Sequence, residues 1–271
     1  MDVPGTFDPA VLRLRQPLSL RPHCETWACT VRGRPLVVRR YDPRRPGVPW
    51  PPPPDLEGIA PPHPRVERLV GWSIDPDGVV WHLFRQVPGR ALRQALAEGP
   101  LPSPRWLPIL ADLAKGLAWL HEDSPAAPRL HGDVSPGNLI LTPRGRGVLV
   151  DLRGDRPGSH GPGEGLQTGT IPYVAAEVLE GAAPTTASEV ASMGWLTCRV
   201  LGVLDLPGTA VTPREVARTR WPDLRSLRSA DPPLTALVEA MLAADPRTRP
   251  TAREVHREVR RMLRRTGPER P

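Results

Sequence analysis

The sequence predicts an α+β chain in two parts, a small antiparallel-sheet N-terminal part and a larger helical C-terminal part. Three observations carry this. Short β-type stretches broken by turn residues occupy most of residues 1–88. From Ser103 onward, apolar residues recur at helical spacing instead. Between the early strands lies a block, residues 43–64, so dense in proline that no long helix runs through it, because each proline removes an amide donor and fixes φ. The expected boundaries are therefore 1–88 for the strand-rich part, with the proline-rich insert inside it, and 89–266 for the helical part.

Each element has its own signal. LVVRRY follows the turn-forming VRGRP and reads as the second arm of a hairpin, with Gly33 in the turn. Within PRRPGVPWPPPPDLEGIAPPHP, Asp55 caps at most a single turn over LEGIA. The run PPPP reads as a stiff linker, although a polyproline segment also suits a groove of the SH3 type. VERLVGW and VVWHLFRQV are strands on either side of a DPDG turn, and VPGRALRQAL leaves them. Ser103 is the expected N-cap of a helix with Pro104 in its first position. Trp106, Leu107, Leu110, Leu113, Leu117 and Leu120 then form one apolar face, and Trp106 and Trp119 are expected in the core. Further helices are predicted over SEVASMGWLTCRVL, LTALVEAMLAAD and TAREVHREVRRMLRR. Thr251 and Glu254 start the last one as a capping box, and its arginines form a solvated basic face.

Composition narrows the function classes. At 271 residues the chain buries a large core. Cys24, Cys29 and Cys198 make neither a paired framework nor a CxxC metal spacing, which points to a reducing cytoplasm. The start MDVPGTFDPAVLRLR lacks the apolar centre of a signal peptide, and the apolar runs are too short and too often charged to cross a membrane. A net charge of +7 raises nucleic acid as a partner. Against that, Lys115 is the only lysine, so all the other basic residues are arginine, and there are 38 prolines. This is a chain-wide bias; the arginines are spread out, and no basic-and-aromatic alternation suits base stacking. No nucleic-acid or membrane partner is expected.

The chemistry-bearing stretch is HGDVSPGNLIL, residues 131–141. Asp133 and Asn138 sit five positions apart in it, ahead of a short strand, a TPRGRG turn and a second strand, VLVD, that ends at Asp151. Two acids and an amide thus gather at the ends of a small hairpin. Asn138 and Asp151 suit a divalent metal while Asp133 orients a hydroxyl. Few hard oxygen ligands fit Mg²⁺ bridging phosphates better than an all-protein calcium site.

Together with segments further along the chain, these residues resemble the protein kinase superfamily, in the style of bacterial eukaryotic-like Ser/Thr kinases. HGDVSPGNLIL resembles the catalytic loop, and VLVDLRG stands where D-F-G is reached. GTIPYVAAEVL resembles the end of the activation segment, SEVASMGWL the helix start D-x-x-S-x-G, and MLAADPRTRPTAREV the closing segment whose arginine pairs with the A-P-E glutamate. The resemblance implies a bilobal fold with a reduced or missing helix between the strands of the small lobe. It implies ATP and Mg²⁺ as cofactors and a protein Ser/Thr hydroxyl as acceptor. Asp133 would be the base, Asn138 and Asp151 the metal ligands, and Thr170 the link from substrate platform to Asp133. Arg39 of LVVR takes the place of the strand lysine; Val37, Ile140 and the Phe84, Arg85 and Val87 connection would surround adenine. Glu177 and Arg249 would pair.

The same resemblance marks departures. RPHCETWACTV has no glycine to bring backbone amides over phosphates. Arginine at 39 keeps the charge but not the geometry of lysine. The glutamate that would hold it belongs on the helix displaced by prolines, so the pair is not expected in its usual form; Glu57, the one acid of LEGIA, reads as a surface residue. Gly132 replaces an arginine that counters a phosphorylated segment, and Ser135 replaces a lysine. D-F-G has become Asp151-Leu152-Arg153, and Glu189 replaces an aspartate, which reads as a tolerable change. A slow or partner-dependent kinase, a pseudokinase scaffold and, third, a small-molecule kinase are the readings this leaves.

Overall fold

The computed structural model describes residues 5–20, 24–44, 63–124, 127–153, 170–204 and 224–265. The chain is α+β and divides into two compact units, Met1–His63 with Glu67–Val87 and Ser124–Ala126, and Pro64–Val66 with Pro88–Asp123 and Ala127–Pro271. The expectation of a reduced helix over the proline-rich insert, with Asp55 and Glu57 in it, falls on residues 45–62, outside the described residues.

The first unit is a six-stranded sheet. Its strands are β1 (Gly5–Thr6), β2 (Arg13–Leu20), β3 (Glu25–Val31), β4 (Arg34–Tyr41), β5 (Leu69–Ile74) and β6 (Val80–Arg85), in the order β1-β5-β6-β4-β3-β2. All neighbours are antiparallel except the short edge pair β1 and β5. The β3–β4 hairpin closes as expected around Arg32 and Gly33, both at positive φ (47° and 77°), the backbone twist a two-residue hairpin turn demands. Because side chains alternate across a strand, the register sorts the sheet into two faces. Trp27, Cys29, Leu36, Val38, Trp81 and Leu83 share one, covered by Phe7 and Leu12 of the N-terminal segment. Val37, Arg39 and Tyr41 lie on the other, opposite Phe84, His82 and Val80.

The second unit holds β7 (Arg90–Ala91), β8 (Leu139–Leu141) and β9 (Gly147–Leu149), a small antiparallel sheet, and seven α-helices among its described residues. These are α1 (Leu92–Leu96), α2 (Ser103–Ala118), α3 (Ala176–Leu179), α4 (Thr186–Val200), α5 (Arg225–Ala230), α6 (Pro232–Met241) and α7 (Ala252–Arg265). Ser103 is the first helical residue of α2 rather than its cap; Pro102 precedes it and no side chain caps the end. The expected apolar face is buried, with Trp106, Leu110, Leu113 and Leu117 all fully buried against Val255 and Val259 of α7 and Met193 of α4. Trp119, expected in the core, is only half-buried at its margin. The α7 capping box forms as read, Thr251 N–H donating to Glu254 and Glu254 N–H to Thr251 Oγ1. The buried Asp112 of α2 ties three segments together, since Arg65 forms an ion pair with it and both Arg146 and the Gly147 N–H donate to it. It thereby pins the β8–β9 hairpin, which carries Asn138 and Asp151 at its ends, to the helical core. Among the described residues no helix is long and apolar enough to cross a membrane.

Candidate active site

Asp133 sits in the loop between α2 and β8 and is only 6% exposed. Burial of an ion without partners is unfavourable, so each of its oxygens must be met. Oδ1 accepts from the Thr170 backbone N–H at 3.0 Å and from the Thr170 hydroxyl at 2.8 Å. Oδ2 accepts one Asn138 amide hydrogen at 2.9 Å, and the Asp133 carbonyl takes the other at 3.0 Å. Asn138 has therefore spent both donors on Asp133, and its Oδ1 remains as an acceptor facing elsewhere. Asp133, Asn138 and Thr170 are thus one hydrogen-bonded cluster, although Thr170 lies 37 residues away in sequence from the loop it steadies.

The neighbourhood of Asp151 is built by backbone. Val150 N–H donates to the Asn138 carbonyl at 2.9 Å, and Arg153 N–H to the His131 carbonyl at 3.1 Å. His131 is fully buried; its Nδ1 accepts from Asp133 N–H and its Nε2 faces the Val150 carbonyl at 3.1 Å, so Nε2 carries the hydrogen. These bonds bracket Asp151 beside Asn138. Asp151 itself has φ 67°, a left-handed conformation uncommon for a residue with a side chain and one that gathers at functional sites. Asn138 and Asp151 would each offer a hard oxygen, the ligand type a magnesium ion takes alongside water and phosphate. Among the described residues no group of three or more His, Cys, Asp or Glu side chains could hold a metal.

Glu189, in the first turn of α4, does more than its reading as a tolerable change suggested. Its carboxylate accepts the backbone N–H of His131 at 3.0 Å and of Gly132 at 2.6 Å, and meets His121 Nε2 at 2.8 Å. Burial pushes its pKa up, but the His121 hydrogen bond and charge and the Gly132 N–H together hold it below the usual range. Glu189 is the clamp that fixes the start of the loop carrying Asp133. Gly132 has φ 88°, and a Cβ there would stand 2.9 Å from Cδ of Arg153. The arginine missing from position 132 thus has its space filled by the stem of another arginine, one that departs from the D-F-G pattern. Ser135 is buried at 4% exposure, and its carbonyl closes the turn by accepting Asn138 N–H. A cavity of about 40 Å³, room for roughly one water, adjoins Asp133, Thr170 and Tyr173. The expected pair of Glu177 with Arg249 is present as a two-fold contact at 2.6 and 2.9 Å.

In the first unit, Arg39 is 3% exposed and makes a bidentate pair with Glu67, Nη1 to Oε1 at 2.9 Å and Nη2 to Oε2 at 2.7 Å. Its guanidinium lies 4.2 Å from the centroid of the Phe84 ring. The charge pair not expected in its usual form is therefore present with a different acid. Glu67 escapes a sequence reading that looks for an acid on a helix; its signal is a charged residue inside VERLVGW, otherwise read as strand. Val37 is half-buried opposite Phe84, while Arg85 is exposed at the end of β6 and Val87 lies two residues beyond it. In the second unit Ile140 is half-buried in β8, between Ala91 and Val148.

No family model matches the chain. It is 33% identical over 147 residues to serine/threonine-protein kinase pkn2 of Myxococcus xanthus, covering 51% of this chain and 17% of that protein. It is 36% identical over 178 residues to serine/threonine-protein kinase PknK of Mycobacterium tuberculosis, covering 63% of this chain and 16% of that protein. A probable serine/threonine-protein kinase, PkwA of Thermomonospora curvata, is 33% identical over 117 residues, 42% of this chain and 15% of that protein. The chain spans about a sixth of the length of these curated relatives.

Proposed function

Because the chain belongs to the protein kinase superfamily, we propose that it moves the γ-phosphate of ATP to a Ser or Thr hydroxyl of a protein, in the cytoplasm, slowly or under the stimulus of a partner. The observation that carries this is the Asp133 carboxylate, buried, oriented by Thr170 and Asn138, and left with a lone pair on Oδ2. That lone pair is what a substrate hydroxyl needs in order to be aligned and relieved of its proton. Asn138 and Asp151 would hold Mg²⁺, which supplies neutralisation of the phosphate charge when bound. Arg39 would meet phosphates, and Val37, Phe84, Arg85, Val87 and Ile140 would surround adenine. Residues 1–88 and 89–266 then work as one kinase domain. Catalysis in this chemistry is mostly positioning and charge stabilisation. The absence of glycine from RPHCETWACTV and of a cation at Ser135 is the reason for a slow rate.

A second reading, a scaffold that transfers nothing, is favoured by one observation: both terminal nitrogens of Arg39 are already engaged by Glu67. Two measurements separate the readings. MgATP is expected to raise the melting midpoint, as any ligand of the native state must. Radiolabel transfer to general protein acceptors is expected from the wild type and not from Asp133→Ala or Asp151→Ala. An unmoved midpoint together with no transfer by the wild type leaves the scaffold.

A further inference from the structure

The cavity beside Asp133 is walled by residues of the second unit, among them Gly132, Thr170, Tyr173, Ser188 and Ser192. Two arginines stand against that wall. The stem of Arg153 packs on Gly132, its Cδ 2.9 Å from where a Cβ at 132 would lie, and its backbone N–H donates to the His131 carbonyl. The Arg199 side chain hydrogen-bonds the hydroxyl of the buried Tyr173. On α4 Arg199 follows Ser188 and Ser192 at helical spacing, so the three share one face of that helix. Both arginines are half-buried and keep part of their surface open to solvent. Among the described residues neither forms an ion pair. The acids nearby are already engaged. Glu189 turns its carboxylate onto the N–H groups of His131 and Gly132, and Glu177 is held by Arg249. Asp133, the other acid in the wall, is met by Thr170 and Asn138. Two cations thus flank the cavity without a counter-charge.

We propose that Arg153 and Arg199 select acceptor segments that carry Asp or Glu beside the Ser or Thr, so that the substrate class is an acidic peptide. This rests on the reading of Asp133 as the group that orients the acceptor hydroxyl. A hydroxyl that reaches Asp133 brings its flanking residues against Gly132 and Tyr173, because an extended chain advances only about 3.3 Å per residue. An acidic side chain there meets a cation with unused donors, since a guanidinium has five N–H groups and the Tyr173 hydroxyl does not exhaust those of Arg199. The planar fork of arginine also matches a carboxylate with two parallel bonds. A basic side chain in the same place meets like charge and gives up its water for nothing. Complementary charge of this kind chooses among partners more than it adds raw affinity.

The test gives the whole chain three serine peptides that differ only in their flanks, which carry aspartate and glutamate, uncharged residues, or lysine. Radiolabel transfer from MgATP yields kcat/KM for each. Binding of the same peptides, with alanine in place of the serine, is read in parallel by fluorescence anisotropy. The wild type is expected to favour the acidic over the uncharged peptide by about tenfold, and to take the lysine peptide least. Arg153→Met keeps a stem over Gly132 without the charge, and Arg199→Gln keeps a hydrogen-bond donor without it. Each should lower the acidic-to-uncharged ratio about threefold, and the double variant should bring it close to one. Tyr173→Phe removes the hydroxyl but not the Arg199 charge and should leave the preference in place, which a role through Tyr173 alone would not. Added salt should shrink the wild-type ratio. A preference that the double variant abolishes, in either measurement, supports the proposal. A wild type without preference in both, or a double variant with the wild-type ratio, overturns it. If acidic peptides are bound by preference yet none is phosphorylated, the selection stands and the kinase reading fails. If melting shows that Arg199→Gln does not fold, Arg153→Met and the salt series carry the comparison, and a ratio that moves with neither overturns the proposal.

Discussion

The loop around Asp133 and the sheet around Arg39 each hold an ion away from water, by opposite means. Around Asp133 the charge is met by neutral donors from separate segments, a hydroxyl and N–H from Thr170 and an amide from Asn138. Around Arg39 it is met by one opposite charge, Glu67, packed under an aromatic ring. A ring of neutral donors fixes direction and leaves the carboxylate negative and partly open to a further donor. A bidentate ion pair cancels charge and stands or falls as a unit. The first arrangement suits a group that must react, the second a group that must stay in place. Asp133→Asn tests the first most severely, since it keeps the size and removes the charge. Phosphoryl transfer, measured with radiolabelled ATP, should fall by about 10²- to 10⁴-fold, the range of a lost general base. A fall of less than about tenfold would remove Asp133 from the chemistry.

The ion pair predicts a different signature, in stability. Arg39→Met leaves Glu67 buried without its partner and should destabilise the fold by about 3–5 kcal/mol. The double variant Arg39→Met/Glu67→Leu removes both charges and should recover most of that in urea denaturation, because two apolar side chains pack where two ions had to be desolvated. A double variant as unstable as the single one would mean that the pair contributes net stability of its own.

The same contrast explains what was legible in the sequence. The hairpin of β3 and β4, the apolar face of α2 and the α7 capping box are local, each set by residues within a turn or two, and each lies where the pattern put it. Asp133 and Asn138 are near neighbours, so their cluster was also readable. Of the long-range parts, the contacts of Thr170 with Asp133 and of Glu177 with Arg249 were expected through the family resemblance alone, and the others were not legible. Glu67 reaches Arg39 across 28 positions, and Glu189 reaches His131 across 58. Nothing in the spacing of an isolated acid tells which buried cation or N–H it will meet. Arg153 over Gly132 is a trade of volume between two segments, invisible until both are in place. Ser103 departs from its expected place as a cap because a hydroxyl before proline suits either role, and the backbone turns one residue earlier.

A smaller effect exposes the electrostatics of the sheet. His82 lies opposite Arg39, is 8% exposed, and its Nε2 has no hydrogen-bond partner. Burial, and then the Arg39 charge, push its pKa down from 6.5 to about 4. The unfolded chain therefore takes up a proton at higher pH than the folded one. This contribution to stability is complete above pH 6.5 and is lost as pH falls toward 4. The full swing is about 3 kcal/mol. His82→Leu should flatten the stability profile across that window and leave stability at about pH 8 nearly unchanged. A variant with the same slope as the wild type would place the titration elsewhere.

The smallest effect belongs to the neutral ring. Thr170→Val removes the hydroxyl that reaches Asp133 Oδ1 at 2.8 Å but keeps the backbone N–H at 3.0 Å on the same oxygen. One hydrogen bond of several is lost, so stability should fall by about 1 kcal/mol or less, and transfer by less than about tenfold. Thr170→Ser should restore both. The grading follows from the partners each ion keeps: the carboxylate loses one donor and still has two, whereas the guanidinium of Arg39 would give up the carboxylate that holds both its terminal nitrogens. If Thr170→Val instead abolished transfer as fully as Asp133→Asn, the hydroxyl would be acting on the substrate side of the reaction, and the loop would not be the redundant cage its hydrogen bonds describe.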